Sequence, residues 1–269
     1  MYHKNTSPER KKYLSAKRRY KSAITIFRIL IIVLFIVFWE IGGRLNFIDS
    51  FVLSTPSRIL SVLLNFRQNN LILHISTTLF ETAIGFLLGV VIGLLLAVLL
   101  WWSPFLSKIS EPYLVVLNSL PKIALGPVII IWAGAGTRAI IFMALAISMI
   151  VTVLEMLNGF NNTDKELIKM LRTFGANRLQ IFSKIVLPYN IETLFNSLKI
   201  NIGLSLVGVI AGEFLVSKAG LGYLIVYGGQ VFKMDLVMAS VLILAVAAAI
   251  LYEIIVLLQK LVIKTVTHR

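Results

Sequence analysis

LRTFGANRLQIFSKIVLP, residues Leu171 to Pro188, carries a glycine, three cations (Arg172, Arg178, Lys184) and a closing proline between two long apolar runs. Helix signals surround it. Thr163 followed by Glu166 has capping-box spacing, so the Thr163 hydroxyl is expected to take an orphan amide while Glu166 reaches back. Leu167, Ile168, Leu171 and Phe174 recur at i, i+1, i+4 and i+7, one apolar stripe on a short helix. Gly175 stands where a left-handed residue ends such a helix. Leu179, Phe182, Ile185 and Val186 mark a second helix running up to Leu187 and Pro188. The spacing predicts two short amphipathic helices, bent at Gly175, inside a polar loop over 158–193. Helices of this kind lie on lipid, cover their own protein or dock in a partner's groove, and the pattern alone weights the three about equally.

The surroundings of this loop are membrane-grade. The chain has 269 residues, 58% of them hydrophobic and only 14% charged, with a mean hydropathy of +0.90. A soluble domain needs about a quarter charged residues to wet its surface. Spanning hydrocarbon takes about 20 apolar residues as helix, because lipid satisfies no backbone group. Six stretches qualify: Ile24–Gly43, Ala83–Trp102, Tyr113–Trp132, Ala139–Leu157, Leu194–Val216 and Leu236–Leu258. Asn118, Ser119, Pro121, Lys122 and Pro127 interrupt the third. The first is too long for a signal peptide and no small-x-small cleavage site follows it, so it reads as an uncleaved span.

Lys and Arg concentrate in the segments that face the cytoplasm. With the N-terminus inside, 1–23, 103–112, 158–193 and 259–269 hold most of the 26 cations, and the outer segments hold only Arg44, Arg58, Arg67, Arg138, Lys218 and Lys233. Both termini are therefore expected in the cytoplasm. The net charge of +14 then needs no nucleic acid: the basic tail ERKKYLSAKRRYK orients the chain and meets lipid headgroups. The sequons at Asn5 and Asn161 would lie inside and carry no glycan. With no cysteine, disulfides, thiolate metal sites and thiol catalysis are excluded. No G-x-x-x-x-G-K-[ST] is present, so no phosphate-cradling loop is encoded. The three histidines, His3, His74 and His268, fall outside the expected spans, and no metal motif or nucleophile–base pattern is found.

Within the spans, Gly85, Gly89 and Gly93 make two overlapping G-x-x-x-G steps that let another helix approach closely. Glu40, Glu81 and Glu213 fall towards the outer ends and Glu155 and Glu253 towards the inner, where carboxylates reach the interface. Lys122 and Lys199 lie deeper, ~13–15 Å along their helices at ~1.5 Å per residue. They either pair with Glu155 or another membrane carboxylate, or line a passage and attract an anion. Asn118, Pro121, Lys122, Pro127, Lys199, Ser205 and Glu213 are the candidate passage residues. Between the last two spans, Gly220, Gly222, Gly228 and Gly229 allow bending, and Tyr223 and Tyr227 suit an interface belt.

Four separated segments carry a resemblance. Gly175, Ile185, Leu187 and Pro188 resemble the second half of the "EAA…G…I.LP" loop of ABC-importer permeases. PKIALGPVIIIWAGAG (Pro121–Gly136), AGEFLVSKAGLGYLI (Ala211–Ile225) and FVLSTPSRIL (Phe51–Leu60) resemble segments of the nitrate/sulfonate/taurine-type permeases. Where that family shows E-A-A, this chain has Lys169, Met170 and Leu171.

The resemblance implies an all-α integral membrane protein of the MetI-like, type I importer fold: six transmembrane helices with a cytoplasmic coupling hairpin. It implies a basic tail at 1–23, a first span at 24–43 and a permease core at 75–260 that includes the loop 158–193. It implies a permease with no ATPase site or cofactor of its own, working as a second copy of itself joined to two ATPase subunits, which hold ATP and Mg, and a substrate-binding protein. The coupling residues it implies are Glu166, Leu167, Leu171, Phe174, Gly175, Leu179, Ile185, Leu187 and Pro188. For Val216–Asp235 it adds a role as outer gate and binding-protein platform to the plainer reading of a surface helix. The expected cargo is a small solute, anionic if the interior lysines face it, with a vitamin or vitamin precursor as the alternative. A self-sufficient secondary transporter has no use for a capped hairpin, and no two related halves repeat here. A membrane scaffold explains the spans but not the four matches.

Overall fold

The computed structural model describes residues 8–45, 47, 49–67 and 69–267. His3, His268 and the sequon at Asn5 lie outside these residues. Among the described residues every regular element is helical, and they fall into two compact units, one ending at Leu64 and one starting at Asn65.

The first unit holds α1 (Pro8–Arg44), α2 (Ser50–Leu53) and α3 (Pro56–Leu64). α1 is one unbroken helix of 37 residues, so the described part of the basic tail continues directly into the first apolar stretch. At ~1.5 Å per residue it is about 55 Å long, well beyond the ~30 Å of hydrocarbon. Its apolar residues are exposed all round, Phe27, Ile31, Phe35 and Phe38 among them. Such a surface suits lipid, not water. The Glu40 carboxylate accepts from Arg44 Nε at 2.7 Å and from the Ser57 amide at 3.0 Å, and the Trp39 indole donates to the Ser54 carbonyl at 3.2 Å. These bonds tie the start of α3 back to α1.

In the second unit, α4 (Leu71–Trp102) and α5 (Pro104–Ser119) are followed by a 3-10 turn (Lys122–Leu125), α6 (Gly126–Ala133) and α7 (Thr137–Asn161). Next come α8 (Lys165–Thr173), α9 (Arg178–Ile181), a π turn (Phe182–Val186) and α10 (Leu187–Tyr189). α11 (Ile191–Val216), α12 (Leu221–Gln230) and α13 (Met234–Thr267) complete it. Among the described residues five helices are long and apolar enough to cross a membrane: α1 from Lys12, α4, α7, α11 and α13 to Lys264. The expected third span is not straight. α5 and the segment Lys122–Ala133 together pass as a span but bend by 86° at the break. Leu120, held extended (φ −65°, ψ 137°) ahead of Pro121, explains the corner, because a proline ring drives its predecessor out of helical geometry.

α7 forms the centre, packed along α4 and α11. A Cβ on Gly85 would stand 2.5 Å from Ala144 Cβ, and one on Gly93 2.7 Å from Thr152 Cβ. The G-x-x-x-G face of α4 thus seats Ala144, Ser148 and Thr152, small residues one turn apart on α7. Gly208 of α11 closes on Ala144 from the other side, where a Cβ would lie 2.7 Å from its Cα. Asn201 of α11 donates to Thr152 Oγ1 at 2.9 Å and to Ser197 Oγ at 3.0 Å. Close backbones and a few satisfied hydroxyls join these helices, as befits a setting with no hydrophobic drive between apolar rods.

α4 begins at Leu71, earlier than the expected Ala83, and the added turns mix apolar residues with His74, Ser76, Thr77, Thr78, Glu81 and Thr82. His74 therefore lies within this long helix and is buried, correcting its expected location outside the spans. The polar residues interrupt the apolar run, so a reading that seeks about 20 continuous apolar residues starts the span too late.

Candidate functional site

The hairpin of α8 to α10 is built as the glycine and proline require, although its first cap differs from expectation. Asp164, not Thr163, caps α8: its carboxylate accepts from the Glu166 amide at 2.8 Å. Thr163 is buried and its hydroxyl accepts from Asn190 Nδ2 at 2.9 Å. Asn190 Nδ2 also bonds the Val186 carbonyl at 2.8 Å, so the far end of the hairpin is fastened to its start. Gly175 has φ +79°. Its amide bonds the Arg172 carbonyl at 2.9 Å, and that of Ala176 bonds Leu171 at 3.0 Å. These paired bonds form a Schellman stop. α9 opens with a reciprocal box, Asn177 Oδ1 accepting from Gln180 N and Gln180 Oε1 from Asn177 N, which the N-x-x-Q spacing could have disclosed. Pro188 offers no N–H to the carbonyl four residues back, and its ring crowds that carbonyl. The turn before it widens, with Leu187 N reaching Phe182 O in π fashion.

The expected stripe divides between two faces. Ile168 and Leu171 turn inward with Ile181 and Val186 onto Met156, Phe160 and Trp101. The Phe182 ring lies 5.2 Å from Trp101 and 5.5 Å from Phe160. Ile185 and Leu187 are half-buried, and Glu166 and Pro188 are exposed. Leu167, Met170, Leu179 (61%) and Phe174 (78%) stand out of the protein. A firmly anchored elbow thus presents apolar side chains outward.

Far from this elbow, three consecutive amides at the start of α12 meet three side chains from other helices. Gly220 N donates to His74 Nδ1 at 2.9 Å, Leu221 N to Thr78 Oγ1 at 2.8 Å and Gly222 N to Glu213 Oε2 at 2.6 Å. Thr78 Oγ1 donates in turn to Glu213 Oε1 at 2.6 Å. The orphan amides of a helix start need such acceptors. Glu213 and Glu81 are each 1% exposed, which corrects the expectation that these carboxylates reach the interface. Neither oxygen of Glu81 has a hydrogen-bond partner among the described residues. Tyr223 stacks between His74 and Tyr227, at 5.7 and 5.9 Å.

The remaining passage candidates do not form one cluster. Lys122 sits at the corner of the broken span, its Nζ donating to the Asn118 carbonyl at 2.9 Å and to Asn118 Oδ1 at 3.4 Å. Pro121 is the corner itself. Pro127 lines a mainly apolar cavity of about 530 Å³ with Ile123, Val207, Ala211 and Phe214. Lys199 Nζ donates to Asn196 Oδ1 at 3.2 Å. Among the described residues neither lysine meets a carboxylate, so the expected pairing with Glu155 is not made. Ser205 is enclosed and its hydroxyl lacks a partner among the described residues. A polar cavity of about 550 Å³, lined by Glu155, Asn158, Asn162, Asn190, Thr193 and Asn196, escaped the sequence reading because scattered amides carry no spacing rule.

A profile of the family described as binding-protein-dependent transport system inner membrane component matches residues 89–268. The formylaminopyrimidine transport permease protein ThiX of Halalkalibacterium halodurans is 26% identical over 194 residues, 72% of this chain and 77% of ThiX. The taurine transport system permease protein TauC of Escherichia coli is 26% identical over 226 residues, 81% of this chain and 82% of TauC. In fold, the chain is similar to a protein in an inward-facing structure of the MetNI methionine ABC transporter. The TM-score is 0.62 at 22% identity, covering 72% of this chain and 94% of that one.

Proposed function

Since this chain belongs to the family of binding-protein-dependent transport system inner membrane components, and is the permease component of an ABC importer, we propose that its hairpin is the handle through which a separate ATPase drives transport. The outward apolar face of Phe174, Leu179, Leu167 and Met170 on an anchored elbow carries this reading. Such a face on a short helix pair suits a hydrophobic groove on a partner. Two copies of the chain, two ATPase subunits and one substrate-binding protein make the working complex. The hairpin and both termini face the cytoplasm, where ATP and Mg²⁺ are held by the ATPase. The excess of Lys and Arg in 1–23, 158–193 and 259–269 supports that orientation. Closure of the ATPase pair moves the two hairpins, and because each is fastened to α7 and α11 the spans rock with it. On the opposite side α12 serves as part of the outer gate and as the platform for the binding protein.

The cargo in this reading is a small anion of the sulfonate or nitrate kind. Among the described residues the ammonium groups of Lys122 and Lys199 meet no carboxylate, so their charge stays available to a passing anion. A vitamin precursor is the second reading, favoured by the mainly apolar cavity at Pro127. The chain has no cysteine, so Phe174→Cys gives a single reactive thiol. The expected result is a cross-link from that thiol to a co-purifying ATPase, and labelling by an impermeant maleimide only after cells are opened. Labelling from outside intact cells, or a co-purified ATPase that never cross-links, overturns the handle.

A further inference from the structure

Behind the hairpin lies a cavity of about 330 Å³ that the coupling reading leaves unused. Four cations line it, Lys165, Lys169 and Arg172 from α8 and Arg178 from α9, above a floor that includes Trp101 and Phe160. No carboxylate lines it among the described residues. Asp164, which flanks it, is engaged with the Glu166 amide, and none of the four cations is in an ion pair among the described residues. Lys165, Lys169 and Arg172 follow at i, i+4 and i+7, where like charges destabilise a helix. Arg178 is already positioned: its Nη2 donates to the Trp101 carbonyl at 3.3 Å and its guanidinium lies 5.5 Å from the Trp101 ring centre. A concave site with four unpaired cations, one of them a pre-set guanidinium fork, has the chemistry that holds a phosphate group.

The neighbouring surface indicates where that phosphate comes from. Trp101 and Pro104 lie at the junction where the long apolar helix α4 stops and α5 begins, and an apolar span ends where headgroups begin. Directly beyond, Phe105, Leu106 and Ile109 are exposed, Phe105 at 73%, offering an apolar strip on which an acyl chain can lie. We propose that this cavity binds the phosphate of an anionic phospholipid, whose chains lie along α5, and that the bound headgroup braces the hairpin against the ends of α4 and α7. The inference needs only a hairpin at the membrane surface and does not depend on which motor grips it.

The test is native mass spectrometry of the full chain in detergent, offered equal phosphatidylglycerol and phosphatidylcholine. The wild-type chain is expected to retain phosphatidylglycerol preferentially. Arg172→Gln with Arg178→Gln should lose it by at least about tenfold, as for a lost charge-assisted hydrogen bond, and Arg172→Gln alone, which leaves the Arg178 contacts with Trp101 in place, should lose it in part. Arginine-dependent binding of millimolar inorganic phosphate with no lipid preference would uphold the phosphate site and make its source soluble. Retention that the double variant does not alter overturns the proposal, as does loss of the lipid when the ATPase joins the complex, since the cations then serve the motor. A lipid failure leaves the Phe174→Cys cross-link intact, and a cross-link failure leaves lipid retention intact, so the two readings fail separately.

Discussion

Glu213 shows how much one side chain can hold. It accepts from Gly222 N and Thr78 Oγ1 and so fixes the start of α12 to both α11 and α4. Removing it leaves a buried amide and a hydroxyl without their acceptor, a cost of about 1–3 kcal/mol. Glu213→Ala should therefore lower the thermal stability of the detergent-solubilised chain. Glu213→Gln, which keeps one carbonyl oxygen, should lower it less, and equal losses would mean that the geometry of the cap is not what matters. Lys122 is the opposite case, a cation whose only polar partner among the described residues is Asn118, four residues before it. Lys122→Ala is expected to reduce uptake of an anionic cargo in reconstituted vesicles about fivefold, the worth of ~1 kcal/mol of attraction, with the complex still assembled. Unchanged uptake would remove the case for an anion at this corner. Both residues were visible in the sequence as ionisable groups inside apolar runs. The partners of Glu213 were not, because neither Thr78 nor the Gly220–Gly222 amides carry any mark that points to it.

At the scale of elements, the hairpin is the part most nearly written in its own residues. Gly175 and Pro188 act on the backbone within a few positions, so the bend and the widened turn follow from local sterics. The choice of Asp164 over Thr163 as cap did not follow. Both side chains can accept an amide, and Thr163 is drawn away by Asn190, 27 residues later. The division of the apolar stripe into an anchored and an outward face also required α7 and α4, which supply Phe160 and Trp101. Because Gly175 sits at φ +79°, Gly175→Val forces a β-branched residue into left-handed geometry at about 1–2 kcal/mol. The expected phenotype is ATP hydrolysis no longer coupled to uptake, with the protein still in the membrane. Gly175→Asn, which tolerates that conformation, should stay coupled, and coupled uptake by the valine variant would contradict the handle.

For the whole molecule, apolar length marked every helix that can cross a bilayer, and the prolines marked the one that bends. Ionisable residues near span ends were harder to place. Glu40 bonds Arg44 one turn away, whereas Glu81 and Glu213 are enclosed by neighbouring helices. The sequence by itself determined the helical class, the long apolar rods, the glycine stop and the motifs that mark the family. Each of these depends on chemistry within a few residues or on the average hydropathy of a stretch. Only the tertiary structure decided which carboxylate caps α12, which face of the hairpin is anchored and which cations share a cavity. Those pairings join residues as far apart as Thr78 and Glu213, 135 positions along the chain, and distance in sequence carries no force until the helices between them have packed.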